Sequence, residues 1–260
     1  MVKDTTKKTV EVKLHQFDVR TQLRPDSKIA IFGKPGTGKT NLMYDLAKKM
    51  SDKFPIVNIF NGTEMENKAY EGVVPDTAIS ASYNEERLAR IILRQRLLKS
   101  RNHPNPWAMT IIDDCADNPK FFKTTLFKKI FKMGRHYKHF ISFLFQDALD
   151  LPRDMRGSLD YIFILRESSP QARKLIHKNY ASFLTYKQFC QLLDQCTEDY
   201  RCVVIQNRES TNAIDKTYFW YRADRMEKED VKLGSDQFWL ECNKHKNPNY
   251  NEEDELAEGD

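Results

Sequence analysis

Eight consecutive residues, Gly33–Thr40, have a spacing that is specific for phosphate binding. They match the pattern G-x-x-x-x-G-K-[ST] in full. The glycines let successive backbone N–H groups surround phosphates, Lys39 is expected to reach the β- and γ-phosphates, and Thr40 to ligate magnesium. The pattern therefore predicts a site for a nucleoside triphosphate and Mg²⁺, formed by Gly33, Lys34, Pro35, Gly36, Thr37, Gly38, Lys39, Thr40 and Asn41.

Two acids follow an apolar segment further along the chain. Met109–Ile112 leads directly into Asp113 and Asp114. An aspartate at the end of a buried strand is where a P-loop enzyme holds its magnesium, so Asp113 is predicted to be a metal ligand. Asp114 is predicted to orient and polarise the attacking water as the general base. The alternative for Asp114 is a cap on the next helix without a catalytic function.

A glutamine follows the next apolar segment, Ile141–Phe145. Gln146 is predicted to contact both the γ-phosphate and the attacking water as a sensor, and the alternative is an amide that bonds only to neighbouring backbone. A complete strand between the phosphate-loop strand and the acidic strand is typical of the additional-strand (ASCE) branch of P-loop proteins. Because the chain lacks the guanine-recognition pattern N-K-x-D, ATP is favoured over GTP.

Strand and helix patterns alternate around these residues, which predicts an α/β fold with a central, mainly parallel sheet flanked by helices. The predicted strands are Ser27–Phe32, Ile56–Phe60, Met109–Ile112, Ile141–Phe145 and Tyr161–Leu165, with Ala78–Ser82 as a short strand or only a connection, and with Cys202–Gln206 and Tyr218–Tyr221 as extra C-terminal strands. The predicted helices are Thr40–Met50, Asn84–Ser100, Pro119–Lys138 and helical chain over Pro170–Thr197, and the last thirty residues are predicted to be irregular.

Composition and charge narrow the class of protein further. Hydrophobic residues make up 40% of the 260 residues, so a full apolar core is expected. The formal net charge is +5, yet the last ten residues hold six acids and no Lys or Arg, which leaves the rest of the chain at +11. A basic body suits a polyanionic partner such as nucleic acid. No apolar run approaches membrane-spanning length, and five cysteines without a CxxC pair are expected to be thiols.

These residues in order resemble the genome-packaging ATPases of nucleocytoplasmic large DNA viruses and their relatives, within the FtsK–HerA group of ring-forming DNA pumps. The resemblance covers roughly residues 25–225. Its segments are GKPGTGKTNL at Gly33–Leu42, TIIDDC at Thr110–Cys115, GRHY at Gly134–Tyr137, FQD at Phe145–Asp147, LPRDMRGSLDYIFIL at Leu151–Leu165 and FWYRA at Phe219–Ala223. The Asp113-Asp114 pair is similar to the viral branch, since cellular pumps usually place Glu second.

The resemblance implies a homo-oligomeric ring, with a hexamer favoured, in which ATP lies between subunits and double-stranded DNA passes through the centre. It also implies an arginine finger from a neighbouring subunit, for which Arg156 and Arg135 are the candidates; the alternative for each is a surface salt bridge. A capsid vertex or inner-membrane component is an expected partner, and the virion and host-cell cytoplasm are the expected location. The expected division is an N-terminal arm (1–24), an ATPase domain (25–225) and an irregular segment with an acidic tail (226–260).

A basic segment, Lys120–His139, is the candidate for DNA contact. It carries seven Lys or Arg and no acid, interleaved with phenylalanines. The phenylalanines favour core packing over base stacking, and the lysines are suited to sequence-independent contact with phosphates. The alternative is a solvated charged face.

Three functions are compatible with this sequence. The first is a DNA-translocating packaging ATPase. The second is a P-loop kinase for a small acceptor, which requires an arginine-bearing lid and an acceptor pocket that no other motif indicates. The third is an ATP-gated, non-enzymatic scaffold at the capsid vertex, against which the intact Lys39, Thr40, Asp113 and Asp114 argue. DNA-stimulated turnover separates the first function from the other two.

Overall fold

In the computed structural model, which describes residues 14–115, 119–209, 211 and 213–246, the strands form one nine-stranded sheet. Its order is β1-β9-β8-β7-β2-β6-β5-β3-β4. Strand β8 runs antiparallel to both of its neighbours, and every other pair is parallel. The strands are β1 His15–Gln16, β2 Lys28–Phe32, β3 Ile56–Asn61, β4 Ile79–Ser80, β5 Ala108–Asp113, β6 His139–Phe145, β7 Tyr161–Ile164, β8 Arg201–Gln206 and β9 Tyr218–Arg222.

Helices cover both faces of this sheet and enclose two apolar clusters, one on each face. The central strands β2, β5, β6 and β7 are buried throughout, as expected of parallel strands between two layers of helices. The helices are α1 Val19–Gln22, α2 Lys39–Lys49, α3 Glu64–Asn67, α4 Glu85–Ser100, α5 Thr125–Met133, α6 Arg153–Arg156, α7 Pro170–Tyr180, α8 Tyr186–Cys196, α9 Ile214–Thr217 and α10 Asp236–Lys244.

The predicted interposed strand is present in the sheet. Strand β6, which ends next to Gln146, lies between the phosphate-loop strand β2 and the acidic strand β5. Strand β3, which precedes β5 in the sequence, lies on the far side of β5. The carboxyl ends of β2, β5 and β6 therefore form one edge of the sheet, which we call the carboxyl edge, and their first residues form the opposite, amino edge.

Two predicted elements differ from the structure. The single helix predicted over Pro119–Lys138 is wrong: a 3₁₀ turn occupies Pro119–Lys123, α5 follows, and a second 3₁₀ turn covers Gly134–Tyr137. The break arises because the Thr124 side chain accepts a hydrogen bond from the Phe127 N–H at 3.2 Å and starts a new helix. The prediction of irregular chain after residue 225 is also wrong, because helix α10 forms there. The Ser235 side chain caps this helix by accepting a hydrogen bond from the Phe238 N–H.

Both ends of the described chain pack on the sheet. Strand β1 is the outermost strand of the sheet and pairs with β9, and Phe17 and Val19, which follow it, are buried in one of the apolar clusters. At the other end, Phe238 of α10 packs against the same apolar cluster. The rest of the predicted N-terminal arm, residues 1–13, and the acidic tail lie outside the described residues. Among the described residues, no helix is long and apolar enough to cross a membrane.

Candidate active site

The phosphate loop connects β2 to α2 at the carboxyl edge. Gly36 and Gly38 have φ angles of 76° and 94°, a backbone conformation that a side chain disfavours, which explains why glycine is needed at both positions. The Gly33 N–H donates to the Phe145 carbonyl at 3.2 Å, so the start of the loop is fixed to the neighbouring strand β6. The Thr37 hydroxyl donates to the Lys34 carbonyl at 2.7 Å and holds the turn closed. Helix α2 then begins at Lys39 with its N–H groups directed at the loop.

Lys39 is a buried ammonium at the first position of α2. Its side chain is 8% exposed, and its Nζ donates to the Gly33 carbonyl at 2.7 Å. Burial lowers the pKa of Lys39, and the nearby Asp114 and Asp113 carboxylates oppose that shift. Within the described residues, its hydrogen-bond partner is thus a neutral carbonyl of the same loop. An ammonium held in this way is ready to exchange that carbonyl for a phosphate oxygen.

Asp113 and Asp114 end strand β5 beside the loop. Asp113 is 5% exposed and accepts a hydrogen bond from the Tyr70 hydroxyl at 2.8 Å. Burial raises the pKa of Asp113 to about 7, and the Tyr70 hydrogen bond opposes the rise. Asp114 has a φ of 45°, and its carbonyl would lie 2.2 Å from a Cβ at position 62, so Gly62 permits this turn. The two carboxylates therefore leave the strand in different surroundings, one enclosed and one partly exposed.

Gln146 meets Asp114 across the carboxyl edge. Its Nε2 donates to Asp114 Oδ1 at 3.0 Å, and both side chains reach solvent. The structure therefore brings together Lys39, Asp113, Asp114 and Gln146 from the ends of two adjacent strands, β5 and β6, and the start of helix α2. An amide bonded to a carboxylate that faces solvent is a suitable arrangement for holding a water molecule in line with a phosphate.

The donor set at this edge fits a magnesium ion. Carboxylate and hydroxyl oxygens are the ligands that Mg²⁺ prefers, and Asp113 and Thr40 supply one of each beside the phosphate loop. Burial raises the pKa of Asp113 because its negative charge lacks sufficient compensation, and a bound cation provides that compensation. Asp113 and Thr40 are therefore the residues that would hold the ion.

Several predicted nucleotide contacts already have partners. Lys34 forms a salt bridge with Glu167 at 2.8 Å. Asn41 ties the chain that follows β9 to α2, since its Nδ2 donates to the Asp224 carbonyl at 3.0 Å and its Oδ1 accepts from the Met226 N–H at 2.8 Å. In this structure Asn41 thus positions a downstream segment, and its contact with nucleotide stays a prediction.

The two arginine-finger candidates lie at opposite edges of the sheet. Arg135 pairs with Asp160, which is almost fully buried and also accepts a hydrogen bond from the Lys28 N–H at 2.8 Å. Lys28 begins β2, so this pair lies at the amino edge, away from the phosphate loop of its own chain. That geometry favours a structural function for Arg135.

Arg156 lies on the carboxyl side, in the segment that follows β6. Its guanidinium donates to the Leu151 carbonyl at 2.8 Å, to Asn179 Oδ1 at 2.6 Å and to the Leu149 carbonyl at 3.2 Å. These contacts fix the loop after Gln146. The finger function stays a prediction for both arginines.

Three residues near the site were not predicted from the sequence. Tyr70 bonds Asp113, and the carboxylate of Glu64 accepts from the Tyr70 N–H at 2.9 Å, so both position the enclosed aspartate. Tyr200 is 73% exposed, and its ring lies 3.6 Å from the position that a Cβ on Gly38 would occupy. Their segments carry no strong periodicity, and only the fold brings them to the loop.

The strand–loop–helix phosphate site, the acid pair and the interposed strand with its glutamine define a P-loop NTPase of the additional-strand class, as predicted. Residues 14–224 match the poxvirus A32 protein family, and the chain belongs to that family. It is 36% identical over 217 residues to uncharacterized protein 088R of Invertebrate iridescent virus 3, a match that covers 83% of this chain and 81% of that protein. The predicted resemblance to packaging ATPases of large DNA viruses is confirmed at the level of the family.

Solved structures with the same fold include two nucleotide complexes. One is the genome packaging NTPase B204 from Sulfolobus turreted icosahedral virus 2 in complex with AMPPCP, with a TM-score of 0.55 and 14% identity, covering 78% of this chain and 100% of that one. The other is the pCW3 conjugation coupling protein TcpA with ATPgS, with a TM-score of 0.51 and 11% identity, covering 84% of this chain and 64% of that one. At such identities the likeness establishes the fold, and it confirms the predicted fold class.

Proposed function

We propose that this protein is an ATP-driven translocase that moves double-stranded DNA into a viral capsid. The observation that carries the proposal is the convergence of Lys39, Asp113, Asp114 and Gln146 at one edge of the sheet, in a chain of the poxvirus A32 protein family. The fold shared with a genome packaging NTPase supports the same assignment. The intact set of charged residues argues against a site that only binds nucleotide.

The proposed hydrolysis follows from the contacts of these side chains. Lys39 exchanges the Gly33 carbonyl for an oxygen of the γ-phosphate and stabilises the charge that develops there. The attacking water bonds to the γ-phosphorus as the bond from that phosphorus to ADP breaks, and ADP leaves with the electron pair. Asp114 accepts a proton from this water, and Gln146, which donates to Asp114, holds the water in line. Tyr70 keeps Asp113 oriented. When bound by Asp113 and Thr40, Mg²⁺ supplies charge neutralisation at the phosphates.

We also propose that Tyr200 contacts the nucleoside end of ATP. Its ring is exposed and lies beside Gly38, on the surface of the phosphate loop. An exposed aromatic ring beside a phosphate site is suited to stack against a base or ribose. The turn that presents it is unusual, because Asp199 and Tyr200 have positive φ angles of 51° and 58°.

The proposed DNA surface includes α5 and the turns that flank it. The phenylalanines of this segment are buried in the core, whereas Lys123, Lys128, Lys129 and Lys132 are exposed. Exposed lysines without a sequence-reading element suit contact with phosphates of any sequence. A ring of subunits, a hexamer in our proposal, would place such surfaces around a central duplex, in the virion and at the assembly site in the host-cell cytoplasm. A component of the capsid vertex or inner membrane is the proposed docking partner.

The test is ATP turnover by the purified protein with and without long double-stranded DNA, at low and at moderate salt. We expect DNA to stimulate turnover, salt to weaken the stimulation, and Lys39→Ala and Asp114→Asn to abolish it. If DNA did not change ATP turnover and a small phosphate acceptor increased it, the protein would instead be a P-loop kinase. Nucleotide binding without turnover in the unmodified protein would establish the scaffold.

A further inference from the structure

A cavity lies at the amino edge of the sheet, away from the phosphate loop, and we call it the α4 cavity. It has a volume of about 460 Å³ and lies between the first residues of β3 and β5, helix α4 and helix α10. Ile56 and Ala108, the first residues of those two strands, line it together with Phe238 of α10. Because the nucleotide site occupies the carboxyl edge, this cavity is a separate feature of the fold.

Positive charge dominates the lining of the α4 cavity. Among the described residues, the lining includes three arginines of helix α4, Arg87, Arg90 and Arg94, and a single acid, Glu86, so its formal charge is +2. The arginines are three and four positions apart, which places them on one face of the helix. The cavity therefore favours an anion with about two negative charges.

Two of these arginines already have partners within the chain. Arg87 donates to the Ile79 carbonyl at 2.9 Å, which fixes this part of the cavity wall. Arg90 pairs with Glu86, and both side chains are exposed. An exposed pair of this kind contributes little to stability, so Arg90 can turn to a ligand at small cost.

Arg94 is a partly buried cation with a neutral hydrogen-bond partner. Its guanidinium donates to Gln95 Oε1 at 2.7 Å, and it forms no salt bridge with a carboxylate of the described residues. Gln95 is itself fixed, because its Nε2 donates to the Tyr137 and Lys138 carbonyls at 3.1 and 3.0 Å. Burial lowers the pKa of Arg94, which reflects a charge that its surroundings do not compensate. A guanidinium has five N–H donors, so Arg94 keeps donors for the oxygens of an anion.

Asn58 of strand β3 supplies a further donor from the opposite wall. Its side chain lines the cavity and is 7% exposed, and its amide nitrogen has no hydrogen-bond partner among the described residues. A buried amide without a partner costs free energy, which a ligand oxygen would recover. The sheet and the helix thus both direct donors at this cavity.

The charge and the size of the cavity define the class of ligand. A phosphate monoester carries a charge of about −1.5 to −2 near neutral pH and has three strong acceptor oxygens, which match the charge and the donors of the lining. The volume of about 460 Å³ is typical of small-molecule sites and leaves space for an organic group beside the phosphate. Ile56, Ile91 and Phe238 offer apolar contacts to that group.

We infer that the α4 cavity binds a small organic phosphate monoester. Arg94, Arg90 and Asn58 hold the phosphate, and the apolar part of the lining contacts the organic group. The site is separate from the phosphate loop, so this inference does not depend on ATP hydrolysis at the carboxyl edge.

The test uses phenyl phosphate as the probe and the full chain, with the phosphate loop saturated by a non-hydrolysable ATP analogue and Mg²⁺. Saturation-transfer NMR on the ring protons of the probe reads its binding. We expect one saturable site with a Kd below ~1 mM. Inorganic phosphate, which lacks the ring, and phenyl sulfate, which carries a single charge, should each bind ~5-fold or more weakly as competitors.

Substitutions show whether the α4 cavity is the binding site. Arg94→Gln should weaken phenyl phosphate by ~10-fold or more, as expected for a lost charge-assisted hydrogen bond, and Asn58→Ala should weaken it by ~3-fold. Arg96→Gln, on the exposed side of the same helix, is the matched control and should change the affinity less than ~2-fold. Lys39→Ala, at the other edge of the sheet, should also leave the affinity within ~2-fold.

A competition experiment distinguishes a small ligand from the end of a nucleic acid. A short duplex with 5′-terminal phosphates should not displace phenyl phosphate, because two paired strands do not fit a cavity of this volume. Displacement by this duplex that depends on Arg94 would assign the site to DNA and overturn the inference.

Three further outcomes would overturn it. They are no saturable binding of phenyl phosphate, equal weakening by Arg94→Gln and Arg96→Gln, and loss of binding in Lys39→Ala, which would place the probe in the phosphate loop. None of these measurements reads ATP turnover or its stimulation by DNA, so the inference and the proposed function fail separately.

Discussion

The two edges of the sheet use the same residue types in opposite ways. At the carboxyl edge, Lys39 bonds a neutral carbonyl, and Asp114 reaches solvent with only Gln146 as its side-chain partner among the described residues. At the amino edge, Asp160 accepts from Arg135 and from the Lys28 N–H. There too, Arg208 pairs with Asp26 at 2.6 Å.

This contrast shows how one fold separates chemistry from stability. Charged side chains that bond only neutral groups, such as Lys39 and Asp114, are available to bind a ligand. Charged side chains that form ion pairs, such as Asp160 and Asp26, stabilise the ends of strands. Substitutions at the carboxyl edge should therefore change turnover with little effect on stability, and substitutions at the amino edge should do the reverse.

Lys39→Ala should give the largest effect on turnover. Loss of the ammonium removes stabilisation of the γ-phosphate charge, and we expect turnover to fall by ~10³-fold. Steady-state phosphate release measures this. Lys48→Ala, an exposed lysine on the same helix, should leave turnover within ~2-fold, and an equal loss in both variants would contradict the assignment of Lys39.

Asp114→Asn should reduce turnover by ~10²-fold or more while ATP still binds, because the amide cannot accept the proton of the attacking water. Turnover and binding of a fluorescent ATP analogue are measured on the same preparation. Asp147→Asn, one residue beyond Gln146 and exposed, is the control. Unchanged turnover in Asp114→Asn would mean that Asp114 only shapes the end of the strand.

Arg135→Gln should separate the two edges most clearly. Removing the partner of the buried Asp160 should lower the free energy of unfolding by about 2 kcal/mol, a value reduced from that of a fully buried pair because Arg135 is half-exposed. Urea unfolding measures this. ATP turnover per folded molecule should stay within ~3-fold of that of the unmodified protein. A fall of ~10³-fold would instead identify Arg135 as the arginine finger and contradict its structural function.

Tyr200→Ala should raise the KM for ATP by ~10-fold with little change in kcat, since base stacking contributes about 1–3 kcal/mol. Tyr200→Phe keeps the ring and should behave like the unmodified protein. If both variants are unaffected, the nucleoside does not contact this ring.

His139→Asn should change how stability depends on pH. His139 begins β6, is fully buried, and burial lowers its pKa to about 4 from 6.5. The unfolded chain therefore takes up this proton first, so stability falls as pH drops from 6.5 toward 4, by at most ~1.4 kcal/mol per pH unit. The variant should lose that part of the slope. His136→Asn, at an exposed histidine three residues earlier, should keep it.

The sequence predicted the features that depend on local pattern. Gly33–Thr40 and the Asp113-Asp114 pair are contiguous, and the burial of β2 and β6 follows from unbroken apolar runs. The buried face of helix α4 was likewise predicted from the spacing of Leu88, Ile91 and Ile92. Such features need no knowledge of distant contacts.

The rest depended on contacts between residues far apart in the sequence. Tyr70 is 43 positions from the carboxylate that it bonds, and Arg135 is 25 positions from Asp160. The division of Pro119–Lys138 into three elements turned on the cap that Thr124 provides, which competed with a continuous helical pattern. The roles of individual site residues stay predictions until the variants are measured.

The most direct test of DNA pumping is displacement of a third strand from a DNA triplex placed at increasing distances along a linear duplex. We predict that the protein with ATP and Mg²⁺ displaces the third strand after a lag that grows linearly with distance, and that Lys39→Ala displaces none. ATP hydrolysis without any displacement, or displacement that does not depend on distance, would contradict translocation along DNA.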